Sequence, residues 1–171
     1  MRRAALILAL LASPAAAEVV TSDAGFVTTN VANVTAPPAE VWAALIAPAR
    51  YWNPQHSYSG QAASMTMEAR AGGCFCEALA DGGSVEHMRV VMVMPRRTLR
   101  LSGGLGPMQS EGVAGSLTWQ VELAEDGGTR ITQTYVVGGN MRMDRTEIAR
   151  GVDMVLREEL ERLAALFPRP R

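Results

Sequence analysis

The order of apolar and polar residues predicts one α+β domain that opens with a strand and two short helices. Residues 26–35 alternate in polarity and are rich in Val and Thr, which indicates a strand. The Pro37-Pro38 pair ends this strand. The helical spacing of Val41, Trp42 and Leu45 then predicts a first helix, and residues 49–52 predict a second short one.

A run of strands and one long helix complete the pattern. Turn residues such as Asp81-Gly82-Gly83 separate six further predicted strands, at residues 63–69, 74–79, 84–94, 98–102, 113–123 and 129–137. Asp144, with Glu147 three residues later, predicts a capped helix start. The apolar stripe of that helix is Ile148, Val152, Val155, Leu156, Leu160, Leu163 and Phe167. Because an antiparallel sheet needs one face covered, we expect this helix to cover it.

The N-terminal residues are typical of an export signal. Arg2 and Arg3 precede an apolar segment at residues 6–11, and small residues at 15–17 predict cleavage after Ala17. A buried N-terminal helix and an uncleaved anchor are the alternatives. We expect residues 18–24 to form a flexible leader and residues 25–171 to form one domain. The apolar segment is far shorter than the ~20 residues of a membrane span, so we expect a soluble mature protein in a bacterial periplasm, with no integral membrane segment.

Composition excludes several kinds of chemistry. All 16 basic residues are arginine, so Schiff-base and lysine general-base mechanisms are excluded. Without Arg2 and Arg3 the chain has 14 basic (16 − 2) and 17 acidic residues, a net charge of −3 that disfavours nucleic acid as a partner. With only two histidines, a histidine-rich metal site is impossible. We expect no cofactor.

The two cysteines, Cys74 and Cys76, are separated by one residue. On an extended strand such residues lie ~6.6 Å apart and side by side, near the upper limit for a disulfide. The spacing leaves open a strained disulfide, two free thiols or a bridge to a partner. A zinc site formed by both cysteines and His87 would lack a fourth ligand, so we predict no metal.

Four segments together resemble one family. They are 36–45 (Ala-Pro-Pro-Ala-Glu-Val-Trp-Ala-Ala-Leu), 72–75 (Gly-Gly-Cys-Phe), 94–101 (Met-Pro-Arg-Arg-Thr-Leu-Arg-Leu) and 128–132 (Gly-Thr-Arg-Ile-Thr). Their order resembles the START-like, birch-pollen-allergen-like (SRPBCC) superfamily, in its polyketide cyclase/dehydrase-like branch, over residues 25–166. The resemblance implies a helix-grip fold, in which a curved antiparallel sheet of about seven strands wraps around the C-terminal helix and encloses a cavity for an apolar molecule.

The hairpin at Gly82-Gly83 predicts which sheet face lines that cavity. If Asp81 pairs with Ser84, then Cys76 lies opposite Arg89, and His87 lies on the outer face beside the cysteines. The more apolar face carries Phe75 and is assigned to the cavity. The predicted ligand-binding residues are Phe75, Glu77, Met88, Val90, Met92, Leu101, Trp119, Tyr135, Val152 and Leu156.

Two residues are candidates for acid–base chemistry. Burial of Glu77 in an apolar cavity would raise its pKa, which suits a general acid or base or an anchor for a polar ligand group. The alternative is a Glu77 at the sheet edge or cavity mouth, either hydrated or paired with an arginine such as Arg100. His56 follows Trp52 in a loop that borders the cavity mouth in the resembled fold. It is either a base or a surface histidine.

Three functions remain open from the sequence. The first is an exported carrier or sensor of a small apolar molecule such as a lipid, sterol or polyketide. The second is a cyclase, dehydratase or isomerase using Glu77 or His56, and the third is a module that binds a partner protein. No nucleophile motif occurs, and residues 103–112 indicate either a mobile flap near the cavity entrance or a plain surface loop. Because the inward strand positions lack clustered polar residues, a binding protein is favoured over an enzyme.

Overall fold

The computed structural model describes residues 18–125 and 127–168. Eight strands form one antiparallel sheet: β1 (Glu18–Ser22), β2 (Gly25–Val34), β3 (Met65–Met67), β4 (Cys74–Ala78), β5 (Ser84–Met94), β6 (Thr98–Ser102), β7 (Gly112–Leu123) and β8 (Thr129–Asn140). Their order across the sheet is β1-β2-β8-β7-β6-β5-β4-β3. The predicted signal segment, residues 1–17, lies outside the described residues, so export stays a prediction.

Within the described residues, two α-helices accompany the sheet. Helix α1 (Pro38–Leu45) begins at a proline, and α2 (Arg145–Ala164) is the long C-terminal helix. The Asp144 side chain accepts a hydrogen bond from the Glu147 backbone N–H at 2.9 Å, which is the predicted cap. Short 3-10 turns lie at Pro48–Arg50, Pro54–His56, Ala62–Ser64, Ala80–Gly82 and Gly106–Ser110. The α+β helix-grip prediction is confirmed.

The first strand differs from the sequence prediction. Residues 18–24 were expected to form a flexible leader, but Glu18–Ser22 pairs along β2, from Glu18 opposite Thr29 to Ser22 opposite Gly25. A two-residue turn returns the chain directly onto β2, and β-branched residues follow Glu18, which suits an extended edge strand. The sheet therefore has eight strands rather than about seven.

Helix α2 packs against the sheet with one face and leaves a second face partly open. Leu156, Leu160 and Leu163 are buried in the core. Asp153 is also buried, and its Oδ1 accepts a hydrogen bond from Asn30 Nδ2 of β2 at 3.1 Å. This contact fixes the rotation of α2 about its axis. As a result Ile148, Val152 and Val155, in the N-terminal half of the predicted stripe, are only half-buried.

A bulge in β5 corrects the predicted pairing with β4. Cys76 lies opposite Glu86 and Phe75 lies opposite Met88, so His87 is an extra residue between these pairs. Cys74, rather than Cys76, is therefore opposite Arg89. Because the extra residue changes which side chains face inward, His87 and Met88 are both buried, and the prediction of an outward His87 is wrong.

A second irregularity in β5 corrects the placement of Met92. Val90 pairs with Leu101, but Met92 pairs with Arg100, so Val91 is skipped. After this shift Met92 lies on the outer side and is 38% exposed. The prediction that Met92 faces the interior is therefore wrong, and the inward position passes to Val93, which is opposite Leu99 and packs against the core.

The structure joins Cys74 and Cys76 in a disulfide, with their Cα atoms 5.4 Å apart. This separation is shorter than the ideal strand spacing and lies within the ordinary range for disulfides. The described cysteines are both in this bond, so free thiols and a bridge to a partner are not what the structure contains. Over residues 18–125 and 127–168, the structure has no helix of the length and apolar character needed to cross a membrane.

Candidate functional site: an apolar pocket beside helix α2

A pocket of about 490 Å³ opens between α2 and two loops, residues 53–59 and residues 103–110. Helix α2 contributes the half-buried face left open by its rotation on the sheet. The lining residues are Trp52, Gln55, His56, Ser57, Tyr58, His87, Leu105, Gly106, Pro107, Ile148, Gly151, Val152, Met154, Val155 and Leu156. Val152 and Leu156, both predicted to bind ligand, line the pocket from α2. The candidate base His56 lines it from the 53–59 loop.

The predicted sheet residues lie beneath the pocket rather than along it. Six of them are buried on the inner face as expected, but they pack against one another in the core: Phe75, Met88, Val90, Leu101, Trp119 and Tyr135. Tyr135 supports the 103–110 loop, because its hydroxyl donates to the Gly103 carbonyl at 2.8 Å and accepts from the Leu105 N–H at 3.1 Å. Ligand contact by the six core residues stays a prediction.

Glu77 is buried, as its position in β4 predicted, with a relative exposure of 1%. Its Oε2 accepts from the Tyr58 N–H at 3.1 Å and its Oε1 from the Ser59 N–H at 2.5 Å. Arg100, the alternative partner, instead donates to Thr118. Burial acts to raise the pKa of Glu77, but the hydrogen bonds from Ser59, Tyr58 and His87 outweigh it and hold the pKa below its ordinary value. Glu77 is therefore a carboxylate at neutral pH.

His87 connects Glu77 to the pocket. Its Nε2 lies 2.9 Å from Glu77 Oε2, and the centroid of its ring lies 5.2 Å from that of Phe75 and 6.0 Å from that of Tyr58. Burial lowers the pKa of His87, and the hydrogen bond and charge of Glu77 oppose this effect without cancelling it. His87 is therefore a neutral imidazole at neutral pH. The sequence missed this pair because the bulge that turns His87 inward leaves no distinct pattern in the chain.

His56 forms a second carboxylate–imidazole pair, with a carboxylate of α2 rather than of β4. Its Nδ1 lies 2.7 Å from Oε1 of Glu159, which is fully buried, and its Nε2 lies 3.7 Å from Glu158 Oε2. Burial raises the pKa of Glu159, although His56, the Asn53 N–H and Arg162 act to lower it. The sequence placed His56 near a cavity mouth, and the structure places it on the pocket wall.

The two buried carboxylates fix the 53–59 loop from both ends. Glu159 of α2 accepts from the Asn53 N–H at 2.9 Å and contacts His56, while Glu77 of β4 holds the N–H groups of Tyr58 and Ser59. Anchored in this way, the loop has its backbone held at both ends and the His56 ring held against Glu159. The pocket is therefore preformed, with an apolar wall on α2 and two oriented imidazoles on the loop side.

The pair of Glu77 and His87 predicts how stability depends on pH. We expect the free energy of unfolding to fall as the pH drops below about 6.5, because His87 of the unfolded chain takes up a proton before folded His87 does. Below about 4.5 the contribution of Glu77 is lost as well, since its folded pKa lies below the ordinary value. Glu159, with its raised pKa, acts in the opposite direction.

Urea titrations of the wild type and His87→Gln isolate the His87 contribution from the others. The difference in unfolding free energy between the two proteins should shrink from about pH 7.5 to about pH 5.5. An unchanged difference at the two pH values would contradict the assignment of a lowered pKa to His87.

The site does not present a metal-binding set. Among the described residues, no three side chains of His, Cys, Asp or Glu come together in a way that could hold a metal ion. The lining residues themselves offer apolar contact, hydrogen bonding and proton transfer through imidazole groups that are paired with carboxylates.

Comparisons with solved structures show the same fold. The Mll3558 protein from Rhizobium loti is 22% identical, with a TM-score of 0.58 over 86% of this chain and 98% of that one. CalU16 from Micromonospora echinospora is 20% identical, with a TM-score of 0.51 over 88% and 81%. DynU16, a protein of the dynemicin biosynthetic locus, is 19% identical, with a TM-score of 0.56 over 81% and 46%.

Sequence comparison identifies the family. Among curated proteins, none matches the chain significantly. A family model described as "Polyketide cyclase / dehydrase and lipid transport" matches residues 26–168, from the start of β2 to just beyond α2. The match agrees with the curved sheet, the long final helix and the adjoining pocket. The chain therefore belongs to the polyketide cyclase/dehydrase and lipid-transport family.

Proposed function

We propose that this protein binds a small apolar molecule in the pocket beside α2 and acts as its carrier or sensor. The observation that carries the proposal is the open face of α2. Ile148, Val152 and Val155 are only half-buried and line the preformed pocket, so they leave apolar surface that a ligand can cover. Burying such a surface against a ligand supplies free energy of roughly 25 cal/mol per Å² of apolar area.

The size and polarity of the pocket support a ligand of one to three rings or a short acyl chain. Its volume of about 490 Å³ lies within the range of roughly 300–1,000 Å³ that is usual for small-molecule sites. Polar side chains in the lining are few, and Gln55, His56 and His87 are among them. We infer that the apolar body of the ligand rests on α2 while a polar group faces these residues.

The comparisons support this class of ligand in coarse terms. The family description names polyketide cyclases, dehydrases and lipid transport, which agrees with a small hydrophobic ligand. DynU16, which shares the fold, belongs to a biosynthetic locus. A lipid, sterol or polyketide-like compound fits this range.

The proposed carrier or sensor acts outside the cytoplasm. Support for this comes from Arg2-Arg3, the apolar segment 6–11 and the small residues before Glu18. N-terminal sequencing of the mature protein tests it and should begin at Glu18. A mature chain that retains Met1 would contradict export by cleavage.

Fluorescence titration with N-phenyl-1-naphthylamine tests the binding proposal. This neutral apolar probe becomes bright in an apolar site, and we expect a saturable rise that fits one site per chain. A signal that rises linearly without saturation, or that equals the signal with unfolded protein, would contradict the proposal.

A further inference from the structure

We propose that His87 is a general base that takes a proton from a carbon atom next to the carbonyl group of a ligand bound in the pocket. This inference rests on the proposed function, because the ligand must first occupy the pocket. It adds a reaction to that function, namely enolisation followed by return of the proton to the same molecule.

The geometry fixes which nitrogen of His87 is available. An ionised carboxylate can only accept hydrogen bonds, so the contact with Glu77 requires a proton on Nε2 and leaves the lone pair on Nδ1. Of the residues that the structure describes, none hydrogen-bonds to Nδ1. Nδ1 is also not one of the fully enclosed unpartnered atoms, and His87 lines the pocket. Within the described part of the chain, the lone pair is therefore unpartnered and not fully enclosed, on a side chain that lines the pocket.

The surroundings hold the imidazole in one orientation. Phe75 and Tyr58 are aromatic neighbours of its ring, and Glu77 is itself fixed by the N–H groups of Tyr58 and Ser59. A base that is oriented before the ligand arrives needs no rearrangement at the moment of proton transfer. Glu77 does not line the pocket, so in this reaction it is a positioning residue for His87. The lowered pKa of His87 agrees with this role, since the ring stays unprotonated at neutral pH.

His56 is less suited to act as the base, although it lines the same pocket. Both of its nitrogens face carboxylates, with Glu159 at 2.7 Å and Glu158 at 3.7 Å. His87 differs because only one of its nitrogens meets a carboxylate. The charged and titratable groups near His87 are Glu77 from β4 and Tyr58 from the loop, with Glu86 and Arg89 beside it on the outer face of β5.

The proposed step balances without a co-reactant. His87 Nδ1 takes the proton, the C–H electron pair forms the carbon–carbon double bond of an enolate, and the carbonyl π pair moves to oxygen. The imidazolium then returns the proton to a carbon of the enolate, which restores neutral His87. In D2O the proton on the imidazolium exchanges with solvent, so the ligand acquires deuterium.

The test uses 2-tetralone, an apolar bicyclic ketone, as the probe. Calorimetry measures its binding, and NMR in D2O measures deuterium incorporation at C1 above the buffer rate. We expect saturable exchange in the wild type and a loss of roughly 10²–10⁴-fold in His87→Gln, with binding retained. Gln is the matched replacement because its side-chain NH2 can still donate to Glu77.

Two further measurements do not depend on the stability of that variant. The exchange rate of the wild type should be constant at high pH and fall through one titration with a midpoint below 6.5, the ordinary His value. Glu77→Gln should shift this midpoint, whereas Glu86→Gln, on the exposed outer face of the same hairpin, should leave both rate and midpoint unchanged.

The outcomes separate the inference from the proposed function. Exchange no faster than in buffer, with 2-tetralone bound, overturns the role of His87 and leaves ligand binding intact. The role of His87 is also overturned if the naphthylamine probe binds and the ketone does not, or if the exchange rate does not change with pH. Failure of both probes to bind contradicts the proposed function itself.

Discussion

Gly151→Trp should abolish binding of the naphthylamine probe, because the indole would occupy the space that the probe needs. Gly151 lies in α2 on the pocket wall, and a Cβ atom built there has no neighbour within 4 Å. One aromatic ring buries roughly 150 Å² or more, worth about 4 kcal/mol at 25 cal/mol per Å². Displacing one ring of the probe should therefore weaken binding on the order of 10²–10³-fold.

Gly151→Ala is the matched control for this substitution. A methyl group fits in the same open space and leaves most of the pocket volume free. Because glycine within a helix costs roughly 0.5–1 kcal/mol relative to alanine, the control should be slightly more stable and bind the probe as the wild type does. Equal binding by Gly151→Trp and Gly151→Ala, with both folded, would mean that the probe binds elsewhere.

Glu77→Leu should lower the free energy of unfolding by roughly 3–5 kcal/mol and also weaken probe binding. Leucine has a similar size, but it cannot accept hydrogen bonds. The substitution would leave His87 and the N–H groups of Tyr58 and Ser59 without their acceptor, and an unpaired polar group in the interior costs about 1–3 kcal/mol. Since Glu77 anchors one end of the 53–59 loop, the pocket wall should loosen as well.

Glu68→Leu provides the comparison for a carboxylate that does not support the loop. Glu68 forms an exposed ion pair with Arg70, at 2.8 Å and with both side chains more than half exposed. Such pairs contribute about 0–1 kcal/mol, so this variant should unfold near the wild-type urea midpoint. A similar small change in Glu77→Leu would contradict the anchoring role of Glu77.

The sequence predicted the fold well because strong local signals specify most of its elements. Asp144 and Glu147 mark the start of α2, and the Gly and Pro turns separate strands that appear at nearly the predicted positions. The edge strand β1 was missed because its pairing depends on β2 rather than on a local pattern. The strand register was the least accurate prediction. The extra residue at His87 changes which face of the sheet the preceding residues of β5 occupy.

The site was only partly predictable, because it too depends on contacts between residues that are far apart in the sequence. Burial of Glu77 followed from alternation along β4, but its partners lie in a loop whose path depends on tertiary contacts. The pocket faces α2 through Ile148, Val152 and Val155 because Asp153 turns the helix toward Asn30, and no spacing in the sequence reveals that contact. The apolar stripe therefore predicted a helix that packs on the sheet and did not reveal the part that stays open.

Intermolecular NOEs between the bound naphthylamine probe and methyl-labelled protein test the central claim most directly. If the pocket beside α2 is the binding site, NOEs at saturation should connect the probe to the methyl groups of Val152, Val155 and Leu156. The outer face of the sheet offers an internal reference, because Val91 and Val136 are about half exposed there. NOEs to Val91 or Val136 with none to α2 would contradict the account.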